Sequence, residues 1–146
     1  LRCDKMTLAA LEAVLRLYAD PQTLVQRIPA LRLLTRSQAD IRSTAEQLLP
    51  RLQAWVGEAF EVDVCAVSSQ IGSGSLPLEV LPSAALRLRS RSANKRTRSR
   101  DLRTLAERLR QLPQPVIGRI ADDSMLLDCR CLEHPETLLA QWVTEA

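Results

Sequence analysis

Aromatic side chains are scarce, at 3% of the 146 residues, so leucine, valine, isoleucine and alanine must fill any core. Lysine is nearly absent. Lys5 and Lys95 are the only two, and arginine supplies the other 18 of the 20 basic residues. Any Schiff-base chemistry is limited to those two positions. Histidine occurs once, at His134, and its place beside Pro135 suggests a helix start rather than a base in a Ser-His-Asp set. The four cysteines (Cys3, Cys65, Cys129 and Cys131) form no CxxC pair and read as buried thiols. A metal site would have to combine Cys129, Cys131 and His134 with distant Cys65. That spacing matches no common zinc knuckle, and no metal is expected. No apolar run is long enough to span a membrane. The chain begins at Leu1 with an amphipathic pattern and no signal-like region. The expectation is a cytoplasmic protein whose sequence starts inside a longer polypeptide.

What is present fits a globular domain: 46% hydrophobic and 25% charged residues. A chain of this length buries roughly 70% of the surface its unfolded form exposes, so no disulfide or metal staple is required.

Leu8, Leu11, Leu15 and Tyr18 follow at helical spacing behind the capping candidates Asp4 and Thr7. Asp20-Pro21 ends that helix. A short helix is expected over residues 22–28, then a helical turn or extended connector over 30–34. A longer helix over 37–58 carries the stripe Ile41, Ala45, Leu48, Leu49, Leu52 and Val56. Pro50 should kink or split it, and Gly57 should stop it.

The period then changes to two. Phe60, Val62, Val64 and Ala66 alternate with Glu61, Asp63 and Cys65, the pattern of a half-buried strand. Residues 68–77 are a loop by composition. A second strand over 84–89 should face Ala84, Leu86 and Leu88 inward and Arg87 and Arg89 outward. Residues 90–100 are polar and basic and read as a mobile linker. A helix is expected over 99–112, a hairpin over 116–131 turning at Asp122-Asp123, and a last helix after Pro135 that buries Leu138, Leu139, Trp142 and Val143. This order predicts an α+β fold, with a small, mainly antiparallel sheet packed with helices.

The clearest electrostatic feature runs from Arg87 to Arg110. It holds ten basic residues against Asp101 and Glu107 alone. Arg91, Lys95, Arg96, Arg98 and Arg100 are the candidate RNA-binding residues, because such a cluster attracts phosphates. The bland alternative is a solvated helix face plus a charged loop, and no aromatic is interleaved for a base to stack on. Gly72-Ser73-Gly74-Ser75 could cradle an anion with backbone amides, or simply connect two strands. No Gly-Lys-Ser/Thr follows it, so it is not a P-loop. Arg2 suits a tetrahedral anion but is otherwise a surface arginine.

Three stretches in order resemble the bacterial L-seryl-tRNA(Sec) selenium transferases (selenocysteine synthases). They are Arg2-Cys3-Asp4-Lys5 with the helix after it, the loop Ser69-Gln70-Ile71-Gly72-Ser73-Gly74-Ser75-Leu76-Pro77 with Leu81-Pro82-Ser83, and Pro115-Val116-Ile117-Gly118-Arg119-Ile120 with Leu126-Leu127-Asp128-Cys129-Arg130. The resemblance covers essentially the whole chain, but only the last third of a family member.

The resemblance implies the C-terminal small domain of a fold-type-I pyridoxal-phosphate enzyme, with residues 1–20 as a helix linking from the cofactor domain and 21–146 as the small domain. It implies an enzyme that converts seryl-tRNA(Sec) to selenocysteinyl-tRNA(Sec) with selenophosphate, as a homo-oligomeric ring, with no membrane or DNA partner. The family's Schiff-base lysine lies in a Gly-Asp-Lys motif absent here, and Asp4-Lys5 is a different pair. The chain alone is therefore expected to bind no cofactor and to be inactive. Arg2 is the one catalytic-site position the resemblance carries over, on the selenophosphate side. Gly72 and Gly74 are expected near the active site. The alternative is a stand-alone basic RNA-binding or adaptor domain, and the small domain of another fold-type-I enzyme is a third reading.

Overall fold

The computed structural model describes residues 3–70 and 80–142. Arg2, Gly72, Gly74 and Val143 lie outside the described residues. The chain forms two compact units, Leu1–Arg36 and Ser37–Ala146. The boundary expected at residue 20 lies inside the first.

The first unit is three helices: α1 (Lys5–Tyr18), α2 (Pro21–Arg27) and α3 (Pro29–Thr35). Asp4 caps α1 by accepting from the Thr7 amide at 2.8 Å. Asp20 caps α2, whose first residue is Pro21, where a missing N–H costs nothing. The connector over 30–34 is helical, because Pro29 opens a new helix in the same way. None of the three helices has a fully buried residue.

The second unit is the α+β fold. Helix α4 (Gln38–Val56) leads into β1 (Phe60–Gln70) and β2 (Val80–Ser90). Then follow α5 (Lys95–Arg110), β3 (Arg119–Ala121), β4 (Ser124–Asp128) and α6 (Pro135–Gln141). The sheet has the order β1-β2-β4-β3, with every pairing antiparallel. Its inner face, including Phe60, Val62, Ala84, Leu86, Leu88, Met125 and Leu127, forms one core with α4, α5 and Trp142. Ile41, Ala45, Leu48, Leu52 and Val56 are buried along α4, and Leu102, Leu105 and Leu109 along α5. Burial of these side chains is the main stabilising term, about 1.5–3 kcal/mol for each large one.

Several expectations change. Pro50 does not split α4. It sits on the exposed side of a helix whose opposite face is buried on both sides of it, so tertiary packing overrides the lost backbone bond. Gly57 does end that helix, with φ +77°. Both strands of the first hairpin are longer than expected, because β1 runs on through Ser68, Ser69 and Gln70 opposite β2. The cysteines are not uniformly buried. Cys129 is, Cys65 is half-buried, and Cys3 and Cys131 are exposed.

The largest correction concerns residues 90–100, expected as a mobile linker. Ser90 ends β2 and α5 begins at Lys95, leaving only 91–94 between them. Asp101 ties this turn down. Its Oδ2 accepts from the Ser90 hydroxyl at 2.6 Å and from the Ser92 hydroxyl at 2.8 Å. The second hairpin turns at Asp122-Asp123 as expected, with strands shorter than the expected 116–121 and 124–131. Asp122 and Asp123 hold φ of 50° and 54°, the pair of left-handed residues a two-residue turn demands.

Candidate nucleic-acid interface

The structure divides the basic segment into two groups. The first group is engaged. Arg87 grips Asp63 directly across the β1–β2 pair, with Nη2 to Oδ2 at 2.6 Å and Nε to Oδ1 at 3.1 Å. This side-chain hydrogen bond is the main reason the Arg87 guanidinium holds its proton more firmly than usual. Arg89 pairs with Glu61 at 3.2 Å and Asp63 at 3.5 Å. Arg98 donates to the carbonyls of Ser92 and Ala93, at 3.3 and 2.9 Å, and lies 3.7 Å from Asp123. Arg108 lies over the Trp55 ring, 4.5 Å from its centroid, and Trp55 in turn packs against buried Trp142.

The second group makes no ion pair among the described residues: Arg91, Lys95, Arg96, Arg100, Arg103 and Arg110. Arg96, Arg100, Arg103 and Arg110 recur at helical spacing on the exposed side of α5, opposite Leu102, Leu105 and Leu109. At 1.5 Å per residue this stripe is about 21 Å long. Glu107 is the one acid on it. Arg96, Arg100 and Arg103, with Thr97 and Ser99, line an open groove.

The N-terminal end of α5 carries Lys95, Arg96 and Arg98 and no acid in its first turn, while the neutral Asn94 caps it. Cations there oppose the helix dipole, so the arrangement costs local stability unless an anion is nearby.

Of the five RNA-contact candidates, the fold groups Lys95, Arg96 and Arg100 at one end of α5 and places Arg91 in the turn before it. It turns Arg98 inward to brace the turn. Arg103 and Arg110 share the exposed stripe. Their spacing from Arg96 and Arg100, by fours and threes, is the signal that places them there.

A polar cluster sits at the base of the β1–β2 ribbon. Asp128, at the end of β4, accepts from the Ser69 hydroxyl of β1, the Ser83 hydroxyl of β2 at 2.7 Å and the Arg130 amide at 3.0 Å. These partners are 59, 45 and 2 residues away in sequence, so local spacing gives no hint of the first two. Arg2, Gly72 and Gly74 lie outside the described residues, so their expected positions are neither supported nor opposed. Among the described residues no group of three His, Cys, Asp or Glu side chains could hold a metal ion. No described helix is long and apolar enough to cross a membrane.

These features define an α+β sheet-and-helix unit with one arginine-lined helical face. The family model for L-seryl-tRNA selenium transferase matches residues 1–133. A relative in Proteus mirabilis, named L-seryl-tRNA(Sec) selenium transferase, is 50% identical over 139 residues, covering 95% of this chain and 29% of the relative. Relatives of the same name in Salmonella heidelberg and Salmonella typhimurium are 54% identical over 133 residues, covering 91% of this chain and 28% of theirs. The chain belongs to the L-seryl-tRNA selenium transferase family. It spans less than a third of the length of these curated relatives.

Proposed function

We propose that this chain is the C-terminal small domain of a pyridoxal-phosphate-dependent L-seryl-tRNA(Sec) selenium transferase. That enzyme converts seryl-tRNA(Sec) to selenocysteinyl-tRNA(Sec) with selenophosphate as donor. The observation that carries the reading is the family match over residues 1–133, with relatives of that name at 50–54% identity. A cytoplasmic homo-oligomer accompanies the same reading.

The chain's own residues do not fit the cofactor. A cofactor lysine needs a water-poor site, whereas Lys5 and Lys95 are both exposed first residues of helices. The cofactor lysine is therefore assigned to the part of the enzyme outside this chain. Held there, pyridoxal phosphate would supply an electron sink. This chain supplies scaffold and charge.

The tRNA phosphate backbone is assigned to the outer face of α5. The residues are Arg96, Arg100 and Arg103, with Arg91, Lys95 and Arg110 flanking. Arg98 is assigned a structural role. Arg2 is assigned to the selenophosphate side of the active site, and the loop bearing Gly72 and Gly74 to its neighbourhood.

The test is reconstitution. The full-length enzyme, supplied with pyridoxal phosphate, selenophosphate and seryl-tRNA(Sec), should form selenocysteinyl-tRNA(Sec), and the 146-residue chain should not. Failure of the full-length enzyme, or turnover by this chain alone, would overturn the reading.

A further inference from the structure

The two outer edges of the sheet's long ribbon are treated differently. In the β1–β2 pair the Arg91 amide donates to the Ala59 carbonyl at 2.9 Å, so the odd residues of β1 turn their backbone groups toward β2. The even residues then face away, toward the free edge. The Gln53 side chain shows the same thing. Its amide nitrogen donates to the Phe60 carbonyl at 3.0 Å, and its oxygen accepts from the Val62 amide at 3.0 Å. Gln53 thus closes the first step of the edge. Beyond it, the N–H and C=O groups of Val64, Ala66 and Ser68 have no partner among the described residues.

The opposite edge of the ribbon, on β2 beyond its pairing with β4, is closed at Pro82 and Ala84. Pro82 has no N–H to offer, and the Arg130 guanidinium donates to its carbonyl. The Cys129 amide donates to the Ala84 carbonyl at 3.0 Å. At the far side of the sheet, β3 is only three residues long. A long edge strand without proline, bulge or outward lysine is the kind folded proteins normally cover. The one charge on the free stretch of β1, Asp63, is bound to Arg87 across the sheet and does not guard the edge.

We infer that the free edge of β1 pairs, antiparallel, with β1 of a second copy of this chain. A twofold axis at Ala66 matches the unpaired groups of the free stretch, with Ala66 opposite Ala66 and Val64 opposite Ser68, and the pairing stops short of Val62, whose N–H Gln53 already holds. Between them, Cys65 faces Val67 and Asp63 faces Ser69. No two charges of like sign meet. The smallest side chain lies at the axis, and the acids lie at the far ends. The result is one continuous sheet through two copies.

The experiment is sedimentation of the 146-residue chain together with directed cross-linking. The chain should sediment as a dimer. Ala66→Pro deletes an edge-facing N–H without touching the β1–β2 ladder, and should give a folded monomer. In a Cys3→Ser, Cys131→Ser background, Val67→Cys should form an intermolecular disulfide to Cys65 on mild oxidation. Residues opposed in this way lie about 4.5 Å apart at Cα, within disulfide reach. Peptide mapping should find Cys65 of one copy joined to the introduced thiol at position 67 of the other. A wild-type monomer at all concentrations would overturn the proposal, as would a dimer that survives in folded Ala66→Pro. If Ala66→Pro does not fold, the cross-link decides alone, and absence of the link between positions 65 and 67 overturns the pairing.

Discussion

Arg98 donates to the Ala93 carbonyl at 2.9 Å, and so closes the turn from which its own helix starts. Two residues on, Arg100 is exposed and makes no ion pair among the described residues. Arg98→Ala should therefore destabilise the fold by about 1–2 kcal/mol, as removal of a hydrogen-bonded charge from a part-buried turn does. Arg100→Ala should stay within about 0.5 kcal/mol of wild type, as exposed substitutions usually do. Urea unfolding of the two variants checks the contrast. Equal losses would remove the distinction between structural and outward-facing arginines.

The Asp101 carboxylate accepts from Ser90 and Ser92, and these hydrogen bonds, Ser90 first, hold its pKa below the ordinary aspartate value. A depressed carboxyl pKa stabilises the fold above the unfolded value, and that contribution is lost as pH falls through the folded value. The turn over 91–94 should accordingly be stable at neutral pH and loosen in acid, below about pH 4. Asp101→Asn should flatten this acid dependence. Amide exchange of Ser92 followed from neutral pH into that acid range checks it, and an unchanged acid response in the variant would contradict it.

Gly118 has no room for a side chain. A Cβ placed there would lie 2.6 Å from Leu127 Cδ2, 3.0 Å from Met125 Cγ and 3.1 Å from the Leu126 carbonyl oxygen. Gly118→Ala should cost about 1–3 kcal/mol through overpacking at β4. Thermal melting measures this, and a melting temperature equal to wild type would show that β4 yields freely.

Leu105 is 1% exposed beneath α5, and Leu86 is 0% exposed in the sheet. Either residue changed to alanine should cost about 2–5 kcal/mol. Leu8 on α1 is 53% exposed, and its truncation should cost far less in this chain. Chemical denaturation of the three variants tests whether the stability of the chain resides in the second unit.

Much of this architecture is legible in the order of the residues. The period-two runs of β1 and β2 place Ala84, Leu86 and Leu88 inward and Arg87 and Arg89 outward, as found. The Asp122-Asp123 turn and the stop at Gly57 are local signals of the same kind. The start of α5 was obscured because its first seven residues, Lys95–Asp101, hold no apolar side chain, so hydrophobic periodicity begins only at Leu102. Asn94 was the available signal, a capping residue whose side chain accepts from the Arg96 amide at 2.8 Å. The ribbon beyond Ala66 was obscured by serines that favour loops, and what holds them is Asp128, far away in sequence. The arginines looked alike in sequence. Only the fold shows which ones meet Asp63, Trp55 or a carbonyl, because those partners come from other elements.

The most direct measurement is the salt dependence of tRNA(Sec) binding by the full-length enzyme, with and without the triple substitution Arg96→Ala, Arg100→Ala, Arg103→Ala. Each phosphate contact contributes a slope of about −0.7 to −0.9 to log K against log salt. Loss of three contacts should weaken binding at low salt and make the slope shallower by roughly 2–3, while the fold and the pyridoxal-phosphate absorbance are retained. An unchanged slope and affinity in a folded triple variant would contradict the assignment of α5 to the tRNA backbone.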